Sequence, residues 1–193
     1  MKIFFSIMFS TLLFGEFGKT YNGFGIDIGT NGSGIFITRQ ILHDSEKFSL
    51  NGELRFYDIK SSTETYAYNL YTGQYESTGG KSLFMTPFLF GINYYPFVGK
   101  IENNFSPFIT ARFGGVLSVD GNETGSFKER WKDPDTQINE GAFIGLGIDF
   151  EMVGQTSVSV MLGLELLPLK YEFDDMDDYS GSLIHISFNR RRK

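Results

Sequence analysis

The side chains of this chain that could do chemistry fall into three groups. His185 and Ser187 stand two apart, so in an extended segment they share a face and could act as general base and nucleophile. Such a pair needs a third group to orient the histidine, and the sequence identifies none, which leaves hydrolysis the least favoured reading. The second group is the run Phe173-Asp174-Asp175-Met176-Asp177-Asp178-Tyr179. Its carboxylates could take a divalent cation, but it lacks the ligand spacing and central glycine of a calcium loop, so it reads as a solvated loop. His43 has no metal-ligand partner nearby, and no metal or cofactor is expected. The third group is Asp27, Glu53, Arg55, Arg112, Asp149, Glu151, Glu165 and His185, all on the polar faces of segments in which every second residue is apolar. What they do depends on where those faces point.

Composition narrows the classes. The chain has no cysteine, which removes disulfides, thiolate metal sites and cysteine nucleophiles. A formal charge of -6, with no basic patch in the body of the chain, excludes nucleic acid as a partner. At 193 residues there is room for one domain. Lys2 precedes an apolar run from Ile3 to Phe14 with small Gly15 and Gly18 beyond, the pattern of a signal peptide over residues 1–18. The run is well short of the roughly 20 residues of a spanning helix. Residues 19–193 then form the single mature domain.

The elements that must position the charged groups are strands. Alternation predicts eight of them: Asn22 to Gly29, Gly34 to Leu42, Phe48 to Lys60, Ser82 to Tyr95, Phe105 to Val119, Ile138 to Met152, Thr156 to Glu172 and Gly181 to Phe188. Between them lie short turns at Thr30–Ser33, His43–Lys47, Pro96–Asn104 and Val153–Gln155, and long loops at Ser61–Lys81, Asp120–Gln137 and Phe173–Ser180. A soluble sandwich or a secreted lipocalin-like binder would also alternate, with the apolar face inside. Three features favour the reverse. The strands are long enough to cross a bilayer when tilted. Gly25, Gly114, Gly145, Gly147 and Gly163 share the polar faces with charges of both signs, which suits a narrow filled lumen. After the first hairpin, long and short connections alternate, as at the two rims of a membrane barrel.

The end of the chain adds a more specific cue. Tyr179-Ser180-Gly181-Ser182-Leu183-Ile184-His185-Ile186-Ser187-Phe188 resembles the closing strand of bacterial outer-membrane barrels, in which a glycine precedes alternating hydrophobics that end on an aromatic. On this architecture the chain resembles the OmpA/OmpX type of small barrel. The departure is Asn189-Arg190-Arg191-Arg192-Lys193, which follows where those proteins usually end; it reads as a solvated end, or as a contact for anionic lipid headgroups. His185 and Ser187 are also slightly similar to the His-x-Ser-Asn run of lipid A deacylases, although Phe188 intervenes before Asn189.

The expectation is therefore an all-β, eight-stranded antiparallel up-and-down transmembrane β-barrel in the bacterial outer membrane. Its charged groups form a lumenal polar network that plugs the barrel, and it is not an enzyme. Its partners are outer-membrane lipid and, through Tyr66, Tyr68, Tyr71, Tyr75 and Trp131 in the long loops, an extracellular protein or glycan. Lys128, Arg130 and Lys132 flank that tryptophan. A narrow channel or small-hydrophobe conduit, a soluble lipocalin-like binder and a lipid-modifying hydrolase are the alternatives.

Overall fold

The computed structural model describes residues 17–59, 65–71, 73–78, 83–101, 104–121, 131–173 and 176–192. Residues 1–16 of the expected leader lie outside the described residues. Twelve strands are formed: β1 (Phe17–Gly29), β2 (Gly32–His43), β3 (Phe48–Ile59), β4 (Thr65–Asn69), β5 (Gln74–Thr78), β6 (Leu83–Tyr94), β7 (Phe105–Asp120), β8 (Asp135–Met152), β9 (Thr156–Leu166), β10 (Pro168–Phe173), β11 (Met176–Asp178) and β12 (Gly181–Arg191). Eight close into an antiparallel barrel in the order β1-β12-β9-β8-β7-β6-β3-β2, while β4–β5 and β10–β11 are separate hairpins at the long-loop rim. The closing ladder runs from Tyr21 opposite Arg191 to Gly29 opposite Leu183.

Which face is wet follows from the side chains. Phe24, Ile35, Phe113, Leu146 and Leu162 are 60–65% exposed on the outside, whereas Asp27, Glu53, Arg55 and His185 are at most 1% exposed within. So much outward apolar surface has no aqueous solution and is covered only by lipid. The lipocalin-like alternative required the opposite arrangement and is overturned. Aromatic pairs mark the band: Phe48 stacks on Tyr94 near the short-turn rim (5.0 Å between ring centroids) and Phe56 on Phe84 toward the other (6.3 Å).

Two strand ends differ from expectation for identifiable reasons. The seventh barrel strand stops at Leu166 rather than Glu172, because Leu167 turns inward and Pro168, with no N–H to give a ladder, starts β10 instead. The last strand continues past Phe188 to Arg191, with Asn189, Arg190 and Arg191 paired to β1. The long loop expected from Ser61 to Lys81 contains the β4–β5 hairpin, and β8 begins at Asp135, inside the second expected loop.

The inward glycines make space for rings. A Cβ on Gly163 would sit 2.4 Å from the Ile144 carbonyl oxygen and 2.5 Å from Cζ of Phe143, and one on Gly145 would meet the same ring at 2.9 Å. Phe143 thus lies flat over two glycines on flanking strands. A Cβ on Gly115, by contrast, would find only an ordinary contact at 3.9 Å. Gly163→Ala is expected to lower stability by roughly 1–3 kcal/mol through overpacking, while Gly115→Ala stays within about 0.5 kcal/mol. Urea titration of the heat-modifiable folded band measures both.

Candidate functional site

The lumen is built in layers. At its centre the guanidinium of Arg55 is fully buried and gathers three carboxylates. Its Nε donates to Glu53 and lies 3.7 Å from Asp27 Oδ2, and its Nη1 donates to Glu165 Oε1 (2.7 Å) and to the Tyr57 hydroxyl (3.0 Å). Arg112 donates to the second oxygen of Glu53 from the opposite wall. The His185 imidazole closes the cluster with Nδ1 at 2.7 Å from Asp27 Oδ1, and its ring stacks on Phe36 at 3.8 Å. Phe143 lies between the arginines, with its centroid 5.0 Å from Cζ of Arg55 and 5.5 Å from that of Arg112. Two guanidiniums and three carboxylates are tolerable away from water only because nearly every polar atom meets an opposite charge or a hydrogen bond.

Above this cluster, toward the long-loop rim, the interior is apolar. Tyr57, Ile59, Leu83, Met85, Leu89, Val116, Phe143, Leu167, Tyr179 and Leu183 form one cluster, and Leu169, Phe173 and Met176 of the β10–β11 hairpin pack on it. That hairpin is tied down by buried amides: Asn139 Oδ1 accepts from the Lys170 N–H (2.9 Å), and Gln137 bonds both backbone groups of Tyr171 (2.9 and 3.2 Å). The hairpin roofs the lumen.

Below, toward the short-turn rim, lies a second polar layer. Tyr95 donates to Asp149 (2.7 Å) and accepts from Gln40 (2.8 Å), Asn51 donates to Asn93 (2.7 Å), and Asn189 donates to Ser159 (2.9 Å) and Ser187 (3.1 Å). Tyr95, Phe108 and Met161 pack together at this level. Beneath it a cavity of about 360 Å³ opens at the rim, with Lys19, Glu46, Asp149, Glu151 and Arg191 in its wall. Lys19 and Glu46 form an ion pair across it.

Of the eight residues expected in the lumenal network, Asp27, Glu53, Arg55, Arg112, Glu165 and His185 are thus brought together. Asp149 belongs to the separate layer with Tyr95 and Ser159, and Glu151 is exposed at the cavity mouth. His185 and Ser187 do not form a nucleophile pair: the histidine nitrogens face Asp27 and Glu53, and the serine accepts from Asn189. In the β4–β5 hairpin, Tyr68 and Tyr75 face each other (5.2 Å), and both are exposed with Leu70 and Tyr71. Tyr66 pairs with Ser77 along the backbone, and its side chain lies outside the described residues. Trp131 is half-buried beyond β7, while Lys128 and Arg130 lie outside the described residues. Sequence reading did not single out Tyr57, Phe143 and Tyr95; strand parity already put Tyr57 on the inner face and puts Phe143 there too, while Tyr95, just past β6, carries no such signal.

Losing one member should cost more than the interaction itself. Arg55→Met leaves three carboxylates facing one another and is expected to lower stability by roughly 3–5 kcal/mol, whereas Arg112→Met leaves Glu53 held by Arg55 and costs less. Refolding yield and the urea midpoint in detergent measure the order.

No family model and no curated protein sequence matches the chain. Solved structures do match it. Neisserial surface protein A is 6% identical, with a TM-score of 0.55 over 89% of this chain and 94% of that one. Ail, the attachment invasion locus protein of Yersinia pestis, is 9% identical, with a TM-score of 0.51 over 92% of this chain and 100% of that one. The N-terminal β-barrel domain of Pseudomonas aeruginosa OprF is 11% identical, with a TM-score of 0.50 over 90% and 99%. At such identities the likeness is one of fold. The fold is that of small bacterial outer-membrane barrels, and with an apolar outer band and a charged interior this chain is built to reside in that membrane.

Proposed function

We propose that this chain is a non-catalytic outer-membrane barrel that works through its outer loops in envelope integrity, adhesion or recognition. The observation that carries this reading is the filled lumen. A fully buried ion cluster around Arg55 lies beneath an apolar cluster, and the β10–β11 hairpin covers both. Eight strands enclose an interior just wide enough for side chains, and here side chains occupy it. The accessible chemistry is therefore on the surface. The β4–β5 hairpin stands apart from the barrel sheet and exposes Tyr68, Leu70, Tyr71 and Tyr75. Exposed aromatics on a short hairpin are the groups that anchor a partner at little entropic cost. The names of two proteins of like fold, a surface protein and an attachment invasion locus protein, agree with such a role.

The channel reading requires a continuous aqueous path past Arg55, and planar-bilayer recording separates it from surface recognition. The refolded protein is expected to give no discrete conductance steps. Cells displaying it should adhere to immobilised extracellular proteins or glycans, and the triple change Tyr68→Ser, Leu70→Ser, Tyr75→Ser should lower adherence by about tenfold or more, as loss of an anchor of roughly 2 kcal/mol does. Steady conductance steps, or adherence that the triple change leaves untouched, would overturn the proposal.

A further inference from the structure

We infer that the outer face of β12, β1 and β2, at the rim bearing the chain ends, holds the headgroup of one anionic phospholipid between Arg39 and Arg190. Both arginines are register partners of the same residue: Arg39 of β2 lies opposite Asn22 of β1, and Arg190 of β12 lies opposite Asn22 from the other side. The three therefore form one row across three strands. Parity turns the row outward, since Ile35 and Ile37 share a face with Arg39, Phe24 with Asn22, and Phe188 with Arg190, and all four are exposed to lipid. Neighbouring strands lie about 4.8 Å apart, so the two arginine Cα atoms stand roughly 10 Å apart. Two guanidinium groups on long stems close that gap around a single phosphate, and their planar forks suit its oxygens.

Two further features point to a lipid. Arg192 lies two residues beyond Arg190, exposed on the same face, and its N–H donates to the Thr20 carbonyl (2.8 Å), which fixes the end of the chain against β1. Among the described residues no carboxylate pairs with Arg39, Arg190 or Arg192; the ion pair at this rim, Lys19 with Glu46, lines the cavity instead. Arg39 sits four residues inside the end of β2, within reach of the hydrocarbon boundary, where an unpaired charge is costly unless the side chain snorkels to an anion. Immediately above the row, Phe24 stacks on Phe188 at 5.8 Å with Ile37 beside them, a shelf for an acyl chain. The chain as a whole is acidic, so this concentration of positive charge runs against its average. The barrel strands away from this seam present Phe48, Tyr94, Phe105 and Phe150 near the same rim.

Native mass spectrometry of the purified full chain, offered dioleoyl-phosphatidylglycerol or dioleoyl-phosphatidylcholine, tests the site. The unaltered protein is expected to retain one phosphatidylglycerol in preference to phosphatidylcholine. If each basic group contributes about fivefold near a membrane surface, Arg39→Gln with Arg190→Gln should weaken retention roughly 25-fold. Lys100→Gln, an exposed base in the β6–β7 turn of the same rim, should change nothing. Heat-modifiable migration checks that each variant is folded; if the double variant is not, Arg192→Gln and the headgroup preference of the unaltered protein decide. Equal retention of the two lipids, or a loss with Lys100→Gln as large as with the arginine variants, would overturn the site.

Discussion

In hydrocarbon no water is present to receive a backbone N–H or C=O, so a sheet that crosses it has to pair every strand on both sides. That constraint brings β1 against β12 and fixes the rest. Closure at eight strands sets a bore that side chains fill, and outward positions become lipid-facing whether or not the sequence is hydrophobic overall. It also explains why the last strand runs through Asn189 to Arg191: β1 has backbone groups at Gly23, Asn22 and Tyr21 that would otherwise be open at the rim.

Within that bore, shape and charge are solved together. Gly145 and Gly163 give up their side chains so that Phe143 can lie flat against the wall, and the ring then separates the Arg55 and Arg112 guanidiniums while offering its face to both. Glu53 joins the two arginines, Glu165 and Asp27 hold Arg55 from other strands, and His185 braces Asp27. The cluster links residues of β1, β3, β7, β9 and β12, so it acts as a cross-brace on a sheet whose own hydrogen bonds run only between neighbours. Such an ionic core stabilises less by net energy than by admitting one arrangement of the wall.

Much of this was legible in the residues. Period-two alternation gave all eight barrel strands and their lumenal faces, because a strand that separates lipid from an ionic interior has two chemically opposite sides. Six of the eight expected lumenal groups meet for the same reason. Parity does not tell depth, however. Asp149 and Glu151 lie on the inner face of β8 but nearer the rim, so one joins Tyr95 and the other reaches solvent. The apolar half of the lumen was also hidden, since Leu83, Met85 and Leu89 occupy inward positions of β6, a strand apolar on both faces. The β10–β11 roof was read as strand followed by loop, although Pro168 was a usable sign that the ladder could not continue.

The Asp27–His185 contact joins residues 158 positions apart, on the first and last strands. In kinetic terms the brace cannot form progressively. Hairpins between sequence neighbours can assemble early, but the ring closes only after the C-terminal strand arrives, and the entropy of joining so distant a pair falls on one late step. Until then the aspartate, the histidine and their arginine neighbours face an open-edged sheet where water still solvates them. Barrel closure and expulsion of that water are therefore a single cooperative event, and the unclosed sheet, with both edges free and an apolar outer face, is the species most exposed to aggregation on the way to the membrane.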